Sequence, residues 1–238
     1  MLFLCFSNME QHFVVAGGSH GIGLQLTRNL LSQGHSVTCL SRTAPDLSHD
    51  KLQFISYDFT SAEPLPALPS VIHGVAYCPG SINLRMFKSL KEEDFLRDFH
   101  INAMGAVRLL QAALPAMKAA GKASVVLFST VAVAQGMAFH SSIAMAKGAV
   151  EGLTRSLAAE WAPSIRVNAI APSLVETPLS ERLISGAEKA EAAAKRHPLG
   201  RIGQPRDIAS VAAFLLGEES DWMSGQVLGV DGGLSSLK

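Results

Sequence analysis

The 238-residue chain has no excess charge of either sign: 20 Lys and Arg balance 20 Asp and Glu, the formal net charge is +0, and only 17% of residues are charged. It therefore lacks the basic field that nucleic acid or an anionic membrane surface requires, and a small molecule is the expected ligand. Cysteine is scarce. The 3 cysteines, Cys5, Cys39 and Cys78, are odd in number and have no metal-ligand spacing. This excludes a disulfide scaffold, gives no reason to expect a metal, and fits a reducing, cytoplasmic setting with free thiols. Aromatics are few, at 6%, and the 2 tyrosines are Tyr57 and Tyr77, so chemistry that needs a phenol has only those to draw on. Long apolar runs are missing too. The opening Met1 to Phe6 has no basic flank and is too short for a signal-peptide core or a membrane span. Met9 is followed by Glu10, Gln11 and a strand-like run, so translation is read as starting there, with residues 1–8 a non-native or flexible extension.

The chain is rich in apolar side chains, 48% of residues, enough for the core of one α/β domain over 1–238. Strand-like and helix-like stretches alternate at the spacing of βαβ units and a parallel sheet. Strands are expected at 13–16, 35–40, 52–56, 71–77, 123–128, 165–170 and 225–230. Helices are expected at 22–33, over 92–119 as one long bent helix, at 140–161 and at 206–216; the proline-rich 63–70 is a loop or distorted short helix, and 173–205 is irregular. The expected class is a doubly wound sheet of seven parallel strands flanked by helices.

The first strand breaks into glycines. In His12 to Gly23 an apolar run, Phe13 to Ala16, ends at Gly17, and Gly21 and Gly23 follow as a helix opens from Ile22. Glycine lets the backbone turn tightly and approach a ligand, and the helix start aims free N–H groups and a positive dipole end at it. The spacing, G-x-x-x-G-x-G, differs from the G-x-G-x-x-G dinucleotide fingerprint, but a pyrophosphate suits it.

Taken together, Phe13 to Gly233 resembles the short-chain dehydrogenase/reductase family. Three stretches carry the resemblance: Arg166-Val-Asn-Ala-Ile-Ala-Pro172, Gly200-Arg-Ile-Gly-Gln-Pro-Arg-Asp-Ile-Ala209, and Ser224-Gly-Gln-Val-Leu-Gly-Val-Asp-Gly-Gly233. The resemblance implies a Rossmann-type domain and a nicotinamide cofactor held at Gly17, Ser19, His20, Gly21, Ile22 and Gly23. Gly80, Lys147, Pro172 and Thr177 would make further contacts. Past the second strand stand Ser41 and Arg42. A carboxylate there would bind the ribose hydroxyls, whereas Arg42 offers a fork of donors to a 2′-phosphate, so NADP(H) is expected. Asp58 resembles the acidic residue near the adenine amino group.

The catalytic stretch departs from the family pattern. The family pairs Tyr-x-x-x-Lys on one helix face, where the ammonium lowers the phenol's pKa from about 10 so that it can act as an acid. Here the segment is Ile143-Ala-Met-Ala-Lys147, and neither tyrosine can be slipped into register. Thr130 matches the serine that polarises the substrate oxygen, and Asn102 the asparagine supporting a water that leads to the lysine. Tyr77-Cys78-Pro79-Gly80 replaces the usual Asn-Asn-Ala-Gly. His140, three residues before Ile143, is a candidate proton donor, since imidazole titrates near 6.5, and Lys147 acting through water is another. The expected function is an NADP(H)-dependent oxidoreductase acting on a carbonyl or alcohol of a small molecule, with carbon–carbon double-bond reduction as a variant. The alternative is an NADP(H)-binding protein with little or no turnover. A homo-oligomer, tetramer or dimer, is expected from Ala112, Ala113, Ala116, Ala149, Val150, Leu153 and Leu157 on the two long helices.

Overall fold

Along the first strand, alternate side chains enter opposite cores. Phe13 and Val15 pack on one side of the sheet and Val14 and Ala16 on the other, all fully buried, as a strand covered on both faces demands. The computed structural model describes residues 10–237, so the extension read over 1–8 lies outside the described residues. The strands are β1 (His12–Ala16), β2 (Ser36–Ser41), β3 (Leu52–Ser56), β4 (Gly74–Tyr77), β5 (Ala123–Phe128), β6 (Ile165–Pro172) and β7 (Val227–Val230). They form one 7-stranded parallel sheet in the order β3-β2-β1-β4-β5-β6-β7. The helices are α1 (Gly21–Ser32), α2 (Glu92–Phe99), α3 (Gly105–Ala119), α4 (Val131–Gln135), α5 (Ser141–Trp161), α6 (Glu181–Ile184), α7 (Ala187–Lys195) and α8 (Pro205–Leu216). Leu26 and Leu30 of α1 and Ile208 and Leu215 of α8 fill one core, while Leu109 of α3 and Val150 of α5 fill the other.

The chain order reverses between β1 and β4, where the loops leaving the two strands part and open a crevice at their carboxyl ends. Two motif residues act as braces for the far edge. Arg166 donates to the carbonyls of Leu215 and Gly217, and Asn168 Nδ2 donates to Met223 O at 2.8 Å while its Oδ1 accepts from Gln226 N at 3.0 Å. These bonds seat β7 against β6.

Several expectations need correction. The strand expected over 71–77 is only Gly74–Tyr77, because Ile72 N donates to Ala116 O and ties that residue to α3. The helix expected over 92–119 is interrupted by a π-helical turn, His100–Met104, between α2 and α3. Polar groups intrude there: Tyr77 Oη donates to Ile101 O at 2.6 Å and Asn102 Nδ2 to Asp98 O at 2.8 Å. The stretch expected to be irregular contains α6 and α7, the latter built from Ala, Glu and Lys, strong helix formers. The short α4 escaped the sequence reading; its N-cap is Thr130. Among the residues expected to form an oligomer face, Ala113, Ala116 and Val150 are buried in the chain's own core. A periodicity argument cannot separate the stripe facing the sheet from one beside it.

The π-turn is wedged against the sheet at Gly105, where a β-carbon would overlap the Tyr77 hydroxyl. Gly105→Ala should therefore cost about 1–3 kcal/mol in urea unfolding, and less of that when Tyr77→Phe removes the hydroxyl first. Additive penalties in the double variant would show that the two residues do not meet.

Candidate active site

After β1 the chain turns through Gly17 (φ +72) and Gly21 (φ +52), conformations that suit glycine. A β-carbon on Gly23 would overlap the Gly17 carbonyl, so the first turn of α1 packs directly on the loop backbone. His20 takes the N-cap position without capping through its side chain, and the first turn holds no acidic residue. The orphan N–H groups of α1 are thus available to an anion.

Beside that turn lies a small polar cluster at the ends of β1 and β2. Ser19 Oγ and His20 Nδ1 are 2.8 Å apart, Thr43 Oγ1 donates to Ser19 Oγ at 3.3 Å, and Ser41 Oγ donates to Thr43 O at 2.9 Å. Ser41 is buried, its hydroxyl used to shape the loop that carries the exposed Arg42. Thr43 was missed by sequence reading; its signal was a hydroxyl two residues past the strand. Asp58 Oδ1 accepts from Thr60 N at 2.8 Å and Thr60 Oγ1 at 2.7 Å. Those bonds, with a smaller contribution from the Arg42 guanidinium, hold its carboxyl below the usual carboxylate range.

The crevice deepens into a cavity of about 490 Å³ at the carboxyl ends of β4, β5 and β6. Ile22 and Thr177 border it at the glycine turn, Gly80 after β4, Thr130 after β5 and Pro172 at the end of β6, while α5 contributes Ile143 and Lys147. Lys147 is buried and its Nζ donates to Phe128 O at 2.7 Å. Burial brings its ammonium down from 10.5 to about 8. A point one β-carbon off Gly80 lies 3.0 Å from Asn102 Oδ1 and 3.6 Å from Lys147 Nζ, so this glycine keeps open the space between amide and amine. Asn102 Nδ2 also donates to Ser81 Oγ at 2.9 Å, and Ser81 Oγ to Asp98 Oδ1 at 2.6 Å. Asp98 Oδ2 and Asn102 Oδ1 are buried and have no partner among the described residues. Sequence reading missed Ser81, in the loop after β4, and Asp98, on α2, because they meet only when α2 packs against that loop.

Thr130 Oγ1 accepts from Ala132 N at 3.3 Å, which leaves its hydroxyl proton for an oxygen in the cavity. Its neighbour Ser129 turns away, donating to Glu151 Oε1 at 2.8 Å. His140 stands just ahead of α5, half-buried on the cavity wall, with Nδ1 2.7 Å from Ala138 O. Ile143 is 5% exposed and presents hydrocarbon one helical turn from Lys147. Neither tyrosine can stand in for it. Tyr57 Oη donates to Glu63 O and Tyr77 Oη to Ile101 O, both rings meet Phe59 edge to face, and neither borders the cavity. On the opposite wall a buried histidine escaped notice: His197 Nδ1 lies 2.8 Å from Ala193 O and its Nε2 lies 2.9 Å from Ser173 Oγ. Nothing local in the sequence marks it, since its bonds to Ser173, after β6, and to Ala193, on α7, hold it at the cavity. Cys78 also borders the space, and burial pushes its thiol up to about 12.

A glycine turn at the order reversal of a doubly wound parallel sheet, with a cavity at the strand ends, defines a Rossmann-type protein. A family model described as enoyl-(acyl carrier protein) reductase matches residues 59–235. The chain is 35% identical to carbonyl reductase family member 4 of Danio rerio, over 96% of this chain and 100% of that protein. It is 32% identical to the 3-oxoacyl-(acyl-carrier-protein) reductase of Thermotoga maritima, over 93% of this chain and 96% of the relative. Among solved structures, a gluconate 5-dehydrogenase from Burkholderia cenocepacia in complex with NADP and tartrate superposes with a TM-score of 0.85 at 25% identity, covering 96% of each chain. The ligand-free aldohexose dehydrogenase of Thermoplasma acidophilum gives 0.85 at 27%, covering 95% of this chain and 94% of that one. The protein belongs to the short-chain dehydrogenase/reductase family of oxidoreductases.

The buried ammonium makes a prediction about stability. Below pH 8 the folded and unfolded chains both hold the Lys147 proton, so the folded state bears the whole desolvation cost. Between about pH 8 and 10.5 the folded chain has released a proton that the unfolded chain still binds, and stability rises with pH across that window. Lys147→Met should accordingly stabilise the cofactor-free protein by about 1–3 kcal/mol at pH 7, with the gain shrinking toward pH 10.5. A gain that does not depend on pH, or a loss at pH 7, would contradict a depressed lysine.

Proposed function

We propose that the protein is an NADP(H)-dependent oxidoreductase that interconverts a carbonyl and an alcohol on a small molecule, with an atypical active site. The observation that carries this reading is that Thr130, Lys147 and the glycine-turn residue Ile22 open onto one cavity. The residues present fit the cofactor: uncapped N–H groups of α1 for the pyrophosphate, Arg42 with Ser19, His20 and Thr43 for a 2′-phosphate, and Lys147 for the nicotinamide ribose. When bound, the cofactor supplies or accepts the hydride.

The chain's own residues do the rest. Thr130 donates a hydrogen bond from its hydroxyl to the substrate oxygen and so stabilises charge building there, without giving up its proton. Lys147, held at Phe128 O and titrating near 8, keeps an exchangeable proton at the cavity floor at neutral pH. His140 is the second proton source at the cavity wall. Ile143 cannot donate, and loss of a general acid costs about 10²- to 10⁴-fold in rate, which slows turnover without abolishing it. Reducing a carbon–carbon double bond demands less of such an acid and is the variant that suits this floor. The buried hydrocarbon of Ile143 also supports a second reading, a nucleotide-binding protein with little turnover. The cytoplasm is the setting we propose, and copies would associate through the exposed flanks of the long helices.

Two measurements test this. In calorimetric titration NADPH should bind at least about tenfold tighter than NADH, and Arg42→Ala should erase most of the difference; an unchanged ratio would refute the cofactor assignment. Ile143→Tyr places a phenol one helical turn from Lys147, and NADPH oxidation over a panel of aldehydes, ketones and quinones should rise about tenfold or more. A folded but equally silent variant would favour the nucleotide-binding reading.

A further inference from the structure

The cavity wall remote from the glycine turn is apolar, but its mouth is cationic. Lys189 on α7 and Arg196 just past its end are seven residues apart, two helical turns, so they fall on one face, and both border the cavity. Arg196 also borders an adjoining pocket together with His140, so the cationic rim extends along the same opening. No aspartate or glutamate lines the cavity among the described residues. Neither Lys189 nor Arg196 has an ion-pair partner among them, although the same segment pairs Lys195 with Glu191 at 2.7 Å. In a chain of formal net charge +0, an opening with two unpaired cations and no carboxylate is a local departure from balance. Ile143, which is buried, and Leu183, which is half-buried, offer hydrocarbon to the same cavity, and the exposed Leu179 adds to its edge.

We propose that the substrate is a mostly apolar molecule bearing an anionic group, a carboxylate or a phosphate, which Lys189 and Arg196 hold at the mouth while the apolar body extends over Ile143 toward Thr130. This rests on the cavity being the substrate site of the reaction proposed above. An anion at the rim gains charge-assisted hydrogen bonds from both cations, in an exposed and therefore salt-sensitive position, while its apolar body leaves water for the hydrocarbon of the cavity. Because α7 carries Lys189 and leads into Arg196, such a ligand would also draw that helix onto the cavity.

The test compares octanoate and octyl phosphate with octanol in calorimetric titrations of the full-length protein, with and without saturating NADP⁺. We expect at least one anion to bind about tenfold or more tightly than octanol at low salt, with the advantage falling as salt is raised; the anion that binds more tightly identifies the group. The double variant Lys189→Glu/Arg196→Glu should abolish the preference while leaving octanol affinity and the melting temperature unchanged. Both side chains are exposed, and Lys189→Gln/Arg196→Gln serves if the charge reversal misfolds. Equal binding of octanol and both anions, or a preference that survives in the variants, overturns the proposal. NADPH oxidation is read separately, on the uncharged carbonyl panel and on apolar aldehydes and ketones that carry a carboxylate or a phosphate: turnover without anion preference in binding defeats this inference alone, whereas anion preference without turnover on either set defeats the oxidoreductase reading and leaves Lys189 and Arg196 as an anion site of a binding protein.

Discussion

The site depends on a contact between two stretches of backbone. The first turn of α1 rests on the carbonyl of Gly17 because Gly23 carries no side chain, and the loops after β4 and β6 close on the same turn. A β-carbon at Gly17 would meet Pro79 at 3.1 Å, and one at Gly21 would meet Thr177 at 3.0 Å. Three segments far apart in sequence thus converge where the strand order reverses, and the cavity is the space left beyond them. Its position follows from topology, and its outline from three missing side chains.

Within that frame the chemistry is unevenly distributed. The carboxyl ends of β1 and β2 supply hydroxyls and the exposed guanidinium of Arg42. The floor at β4 and β5 holds a buried ammonium, a hydroxyl with a free proton and the Asp98–Ser81–Asn102 network, all behind a wall of hydrocarbon. Burial is the common physical cause. It depresses Lys147, raises Cys78, and encloses Asp98 Oδ2 and Asn102 Oδ1, which have no partner among the described residues. A buried amine held well below its usual range is costly to keep, and its presence beside Thr130 in the lining of one cavity distinguishes this floor from ordinary core.

Much of this was legible in the sequence where one local rule acted alone. The continuous apolar runs at Phe13 to Ala16 and Ala123 to Phe128 mark strands with both faces covered, and the glycines after the first run mark the turn. The limits of the other strands were set by tertiary partners: Ile72 is apolar and β-branched, yet its N–H goes to α3. The break in the helix over 92–119 was hidden for a similar reason, since the groups that open the π-turn at Ile101 and Asn102 include a tyrosine from β4.

The sequence by itself determined the fold class, the glycine turn, the absence of a tyrosine in register with Lys147, and Ser41 in place of a carboxylate with Arg42 beside it. These are properties of residue type at a position and survive without knowledge of distance. Only the tertiary structure decided that both tyrosines are spent on the chain's own carbonyls, that Ser41 shapes a loop, that His197 borders the cavity and Asp98 holds Ser81 there, and that Lys189 and Arg196 stand at its mouth with no ion-pair partner among the described residues. Each of those facts depends on which groups meet across long stretches of chain, and hydrogen bonding and burial are settled by such meetings rather than by local pattern.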